Sequence, residues 1–169
     1  MKPKDFVARF HAEALKTQQA TGISAIVVLA QAALESGWGE AAPGNMFFGV
    51  KDSDGINGNE QLLLTTEYLR TATAKFPVII SITPVIRNGQ KYFRYRVKDY
   101  FRKFDTPADS FTDHARFFFR NLRYAKALEV KADPEAFADA IAKAGYGTDL
   151  DYAASLKGTI QTIKKNIPR

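Results

Sequence analysis

A chain of 169 residues, 46% hydrophobic and 25% charged, is long enough to bury a real core and is most simply one domain. It has no cysteine, which excludes a disulfide framework and a thiolate metal site; two histidines far apart, His11 and His114, give little support to a His-based zinc site or a Ser-His-Asp triad. The net charge of +6 favours an anionic partner (nucleic acid, anionic lipid or an acidic wall polymer) without choosing among them.

In chain order, residues 4–20 place Phe6, Val7, Phe10, Ala14 and Leu15 at helical spacing, and Thr21-Gly22 stops that helix. Ser24 stands where it can cap a second helix. From residue 25 to 34 the second helix is apolar on every side except Gln31, which predicts a buried central helix. Pro43-Gly44-Asn45 turns the chain, residues 46–51 form a short apolar segment, and residues 52–59 read as a surface loop. The apolar run ending at Leu34 is too short to span a membrane and too far inside the chain to be a secretory signal.

Between residue 61 and about 97 the pattern turns to strand. Leu62, Leu64, Thr66 and Tyr68 alternate with Leu63, Thr65, Glu67 and Leu69, and Val78, Ile80 and Ile82 alternate again. Pro84 marks an edge or a bulge, and Asn88-Gly89 signals a two-residue hairpin. After it Tyr92, Arg94, Arg96 and Lys98 share one face and Phe93, Tyr95 and Val97 the other. Helices resume over residues 107–122, with Phe111, Ala115, Phe118 and Phe119 inward, and again from Asp133-Pro134 through Phe137 and Ile141 to Gly145. Tyr146-Gly147-Thr148-Asp149 is a turn, and Asp149 or Asp151 can cap a last helix that buries Tyr152, Leu156, Ile160 and Ile163. With no repeat, low-complexity tract or linker, the expectation is one α+β domain over residues 1–169, its β lobe at about residues 60–100.

The chemistry centres on Glu35, in the last turn of the central helix before Gly37-Trp38-Gly39. The carbonyl end of a helix disfavours negative charge, and burial against Leu34 and Trp38 would disfavour it further. Both push the carboxyl toward its protonated form, the state a general acid needs. The plainer reading is a Glu that reaches solvent at a frayed helix end. Glu67, on a different element, could face Glu35 across a cleft as a second carboxylate, or simply face solvent. The stripe Arg94, Arg96 and Lys98, with Arg87 and Lys91 nearby, could contact phosphates. Alternation explains it more simply as the wet face of a half-buried strand, with mild attraction to anionic polymers. Tyr146, in a glycine-flanked turn, reads equally as a site residue or as a packing one.

These residues also fall into motifs. Ala30-Gln31-Ala32-Ala33-Leu34-Glu35-Ser36-Gly37-Trp38-Gly39 resembles the catalytic-helix motif of glycoside hydrolase family 73, the bacterial and phage endo-β-N-acetylglucosaminidases of peptidoglycan. The likeness continues in order through Asn45-Met46-Phe47-Phe48-Gly49-Val50-Lys51, Thr66-Glu67-Tyr68, Phe101-Arg102-Lys103-Phe104, residues 110–115 and Tyr146-Gly147-Thr148-Asp149. Two positions depart from the family pattern. Met46 replaces an Asn, which is expected to alter how substrate is held, and Gly147 replaces an Ala, which is expected to be harmless. Residues 72–90 match no motif.

The resemblance implies a lysozyme-like α+β fold, a mainly helical lobe with a small antiparallel β lobe. It implies Glu35 as general acid, with Glu67 as partner and Tyr146 close by, and substrate contacts from Trp38, Asn45, Phe48, Tyr68 and Asp149. It implies no cofactor and no metal. The expected activity is cleavage of the bond between N-acetylglucosamine and N-acetylmuramic acid in peptidoglycan glycan strands at the bacterial wall. The enzyme is expected to be a monomer, with no nucleic-acid partner and no membrane insertion. It would reach the wall as a phage lysin, by non-classical export, or as a domain trimmed from a secreted autolysin, since no signal peptide is visible. The alternatives are a lytic transglycosylase on the same fold and a non-catalytic wall-binding or assembly module.

Overall fold

The computed structural model describes residues 1–54, 56–147 and 151–168. The chain forms two compact units, residues 1–48 with 104–169, and residues 49–103.

The first unit is helical: α1 (Pro3–Thr21), α2 (Ala25–Ser36), a 3-10 turn (Pro43–Asn45), α3 (Pro107–Arg120), α4 (Ala125–Glu129), α5 (Pro134–Lys143) and α6 (Tyr152–Asn166). α1 buries Phe6, Val7, Phe10 and Ala14, as its spacing predicts, but Leu15 lies at the surface. Thr17 is buried in addition, its hydroxyl 2.9 Å from that of Thr112 on α3. Gly22 ends α1 in the left-handed region. Ser24 occupies the cap position of α2 without making a side-chain cap; the Ala25 N–H instead donates to Gln18 Oε1 at 2.7 Å. The glutamine reaches forward from the end of α1 and takes over the role expected of the serine.

α2 is the buried centre of this unit and packs against α1 and α6. Its apolar surround holds until its last turn, where Leu34 and Glu35 both emerge. α3 opens with a capping box in which the Asp109 N–H donates to Thr106 Oγ1 (3.2 Å) and the Thr106 N–H donates to Asp109 Oδ2 (3.0 Å). Phe111, Ala115 and Phe118 face inward, but Phe119 turns outward beneath the Lys131 ammonium, 5.0 Å from the ring centre. α4, and the 3-10 turn Leu122–Tyr124 before it, carry no periodicity long enough to read from sequence; buried Tyr124 and Ala127 anchor them. The Ala136 N–H donates to Asp133 Oδ1, so the Asp-Pro start of α5 caps as expected. α6 buries Tyr152, Leu156, Ile160 and Ile163.

The second unit is a three-stranded antiparallel sheet of β1 (Glu60–Leu69), β2 (Val78–Arg87) and β3 (Gln90–Arg102), in the order β1-β3-β2. β3 is central and buries Tyr95, Val97 and Phe101. Asn88 and Gly89 both take positive φ, the backbone that an Asn-Gly hairpin requires. β2 is an edge strand, the place in a sheet where a proline such as Pro84 is tolerated; the register shift lies between Ile79 and Ser81 rather than at the proline. The order explains the long segment that matched no motif, because the chain leaving β1 must reach the far edge before β2 can pair. Tyr95 holds that crossing in place: its hydroxyl donates to Thr71 O (3.0 Å) and accepts from Ala74 N (3.2 Å), while Phe76 packs on its ring.

Candidate active site

In the helical unit the site begins at the end of α2. Gly37 adopts a left-handed backbone and its N–H closes on Ala33 O, as does that of Trp38 at 2.8 Å. The Ser36 hydroxyl bonds back to Ala32 O and accepts from the Gly39 N–H at 2.9 Å. These bonds stop the helix one residue after Glu35. Glu35 is solvent-accessible, yet partial loss of water around it raises its pKa above the ordinary 4.5. Leu34 is itself exposed beside it.

Tyr146 and Tyr152 lie within electrostatic reach of that carboxylate. Their rings are 5.2 Å apart, and the Tyr146 hydroxyl bonds that of Tyr152, which also accepts from Gln31 Nε2 at 3.1 Å. On its other side Tyr146 bonds His114 Nε2 at 3.3 Å. Burial pushes both phenols well above the usual tyrosine range, and the Glu35 carboxylate adds to this. Burial also depresses His114 to about 3, so its imidazole is neutral. The histidine is stacked on Phe48 at 3.8 Å with the two planes 8° apart. The result is one chain, Gln31–Tyr152–Tyr146–His114, running through the helical unit beside Glu35.

The sheet unit carries Glu67 on the more buried face of β1, with Leu63, Thr65 and Leu69. It does not simply face solvent. Lys51 Nζ donates to Glu67 Oε1 (2.9 Å) and to Asp99 Oδ2 (2.7 Å) and lies 4.3 Å from the centre of the Phe101 ring. Burial works against the Lys51 ammonium, but its two carboxylates outweigh this and raise its pKa.

The other expected site residues are placed as follows. Trp38 is half-buried with its edge on Phe6, 5.5 Å between centroids. The Asn45 amide donates to the carbonyls of Phe104 (2.9 Å) and Asp105 (3.1 Å), so it ties two loops together. Tyr68 is exposed on the sheet face opposite Glu67, with the Arg87 guanidinium 4.2 Å over its ring. Asp149 lies outside the described residues. Met46 is buried, so at this position the departure from the family pattern serves packing rather than a substrate contact. Gly147 is not interchangeable with Ala: its φ is +81° and a Cβ would stand 3.0 Å from the Tyr152 ring.

The sequence reading missed Gln31, His114, Tyr152, Lys51 and Asp99 as site residues. Gln31 had a signal, as the lone polar residue in an apolar helix. The other four look like an isolated histidine, one apolar-face aromatic and two ordinary surface charges until the fold brings their partners in. Among the described residues no group of His, Asp and Glu could hold a metal ion, and no helix is long and apolar enough to cross a membrane.

Comparison with known proteins agrees with this construction. Residues 11–165 match the glucosaminidase family model, described as mannosyl-glycoprotein endo-beta-N-acetylglucosaminidase. The chain is 33% identical over 168 residues to the peptidoglycan hydrolase FlgJ of Salmonella typhimurium, a match that covers 95% of this chain and 46% of that protein. It therefore spans less than half of that relative's length. The glycoside hydrolase domain of that FlgJ superposes with a TM-score of 0.73 at 31% identity, covering 98% of this chain and 90% of that one. A mutant peptidoglycan hydrolase from Sphingomonas sp. A1 superposes at 0.66 and 28% identity, covering 97% of each chain. The α+β, lysozyme-like class expected from the sequence holds. With its motifs in order, its fold matched and nearly its whole length covered by the family model, the chain belongs to the glucosaminidase family, glycoside hydrolase family 73.

Proposed function

We propose that the two units work together as one glucosaminidase domain, acting as a monomer at the bacterial cell wall. It hydrolyses the bond between N-acetylglucosamine and N-acetylmuramic acid in peptidoglycan. The observation that carries this reading is Glu35, a carboxyl with a raised pKa at a glycine-ended helix terminus beside the Tyr146–Tyr152 pair, in a chain of this family.

Glu35 donates its proton to the leaving glycosidic oxygen. Desolvation keeps that proton in place to a higher pH than an ordinary Glu would. Tyr146 and Tyr152 form a fixed polar wall beside the acid, with His114 and Gln31 holding the two hydroxyls in position. Glu67, steadied by Lys51, orients the attacking water; if the substrate's acetamido group attacks first, Glu67 assists that step instead. Trp38, Phe48 and Tyr68 offer aromatic surfaces to sugar rings, and Asn45 secures the loop that leads to Phe48.

The test is Glu35→Gln with mass spectrometry of the muropeptides released from purified walls. The amide keeps the shape but has no proton to give, so lysis should fall by about 10²–10⁴ with folding retained. The wild type should release reducing N-acetylglucosamine ends. Anhydro-muramyl ends would make the enzyme a transglycosylase, and a Glu35→Gln protein lysing at the wild-type rate would remove Glu35 as the acid.

A further inference from the structure

The strand register sorts the sheet unit into two unlike faces. On the face away from Glu67, cross-strand rows read Leu64–Lys98–Val78, Thr66–Arg96–Ser81 and Tyr68–Arg94–Thr83, with Arg87 opposite Gln90 at the hairpin end. Arg94, Arg96, Lys98 and Arg87 are all exposed. Arg70 joins them, bonded to Gln90 and Tyr92, with its guanidinium 5.3 Å over the Tyr92 ring. From the row of Leu62 and Tyr100 to the hairpin this face carries no carboxylate, and among the described residues none of the five cations forms an ion pair. The opposite face holds Glu67 and Asp99, both paired with Lys51.

An ordinary wet strand face mixes both signs. Three cations at alternate positions of one strand, about 6.6 Å apart, repel one another and oppose folding unless something outside the chain is anionic. The face also has a shape. Tyr68, Arg87, Asn88, Gln90 and Tyr92 line a cleft of about 390 Å³ in which the Arg87 guanidinium sits 4.2 Å over the Tyr68 ring. Arginines held over aromatic rings, flanked by hydroxyls, suit planar carboxylates beside sugar or peptide backbone.

We infer that this face binds the carboxylates of peptidoglycan stem peptides, which stand off the glycan strand at intervals and can engage several cations in succession. The inference rests on the proposed wall substrate and adds to it a contact on the sheet face opposite Glu67 that reads the peptide portion of the polymer. It accounts for a positive charge that general acid catalysis does not need.

The test is co-sedimentation of the full chain with purified sacculi stripped of phosphate polymers, across a range of salt. The same sacculi with their carboxylates amidated serve as the second arm. Wild-type binding should weaken by about tenfold on amidation and fall steeply with salt. An Arg94→Gln/Arg96→Gln/Lys98→Gln variant should bind native sacculi as weakly as the wild type binds amidated ones. Turnover of stem-free glycan should agree within about twofold between variant and wild type. Binding unchanged by amidation would overturn the inference without needing any variant, as would binding that appears only when wall phosphate polymers or DNA are supplied. Failure of the wild type to cut stem-free glycan would count against the hydrolase reading instead, so the two are separable.

Discussion

Gly147 and Gly145 offer a matched pair of substitutions that weighs the Tyr152 contact. Both glycines sit in the left-handed region, at φ +81° and +85°. A Cβ on Gly145 meets nothing within 4 Å, whereas one on Gly147 stands 3.0 Å from Tyr152 Cγ and 3.1 Å from its Cδ2. Gly145→Ala therefore costs only the left-handed backbone, about 1–2 kcal/mol. Gly147→Ala costs the same plus overpacking, about 1–3 kcal/mol more, because Tyr152 is only 8% exposed and tethered to Gln31 and Tyr146. At roughly 2–4 °C per kcal/mol for a chain of this size, the second variant should melt a further ~2–12 °C below the first. Thermal melts of both proteins at neutral pH make the comparison, and turnover makes a second one. Moving Tyr152 disturbs the hydrogen bonds that hold Tyr146 beside Glu35, so Gly147→Ala should lose activity at temperatures where it is fully folded and Gly145→Ala should not. A Gly147→Ala protein as stable and as active as Gly145→Ala would refute the ring contact and the tyrosine wall built on it.

In the pH–rate profile the acid must keep its proton, so the falling limb should lie above 4.5, shifted upward as Glu35 is, and Glu35→Gln should abolish that limb; a limb at the ordinary carboxylate position would contradict the desolvation. The same raised pKa means that the wild type loses some stability as pH rises through the Glu35 titration, so the melting temperature of Glu35→Gln should gain on it over that range, an advantage absent at pH 3. For His114 the sign is opposite: a depressed pKa gives stability present above about 6.5 and lost as pH falls toward about 3, and denaturant melts of His114→Gln should show a shallower acid decline than the wild type. Glu67→Gln should cut hydrolysis severely and leave substrate binding near normal if Glu67 activates water, since an amide cannot take the proton. A milder loss would point to acetamido attack, and a variant within a few-fold of wild type that releases reducing N-acetylglucosamine ends would exclude the water-activating role.

Glu67 was read from the chain as either a catalytic partner or an idle surface residue, and the structure shows a third condition. Its ammonium partner comes from the Val50-Lys51 segment, which lies beside β3 through the Lys51–Phe101 bridge, so neither sequence neighbour of Glu67 could reveal it. The ion pair fixes where the carboxylate stands while leaving it partly open to water. A carboxylate held in this way can orient a nucleophile.

What the chain by itself determined is what depends on neighbours within a few residues. The 3.6-residue spacing of Phe6, Phe10 and Ala14, the run before Glu35 that is apolar except for Gln31, the Asp133-Pro134 start and the Asn88-Gly89 hairpin are local codes, and each element formed where they place it. Glu35 belongs to this class too, because its position at a glycine-ended helix terminus is itself a local fact. Tertiary structure decided everything that needed a partner from elsewhere in the chain. Gln18 replaced Ser24 at the start of α2, the strand order sent β2 to the far edge, and Phe119 turned outward. The Gln31–Tyr152–Tyr146–His114 chain draws on α2, α6, the turn after α5, and α3, with up to 121 residues separating bonded partners. Periodicity reports which side of an element faces inward, but burial leaves each polar group it encloses to find whichever partner the packing brings within about 3 Å.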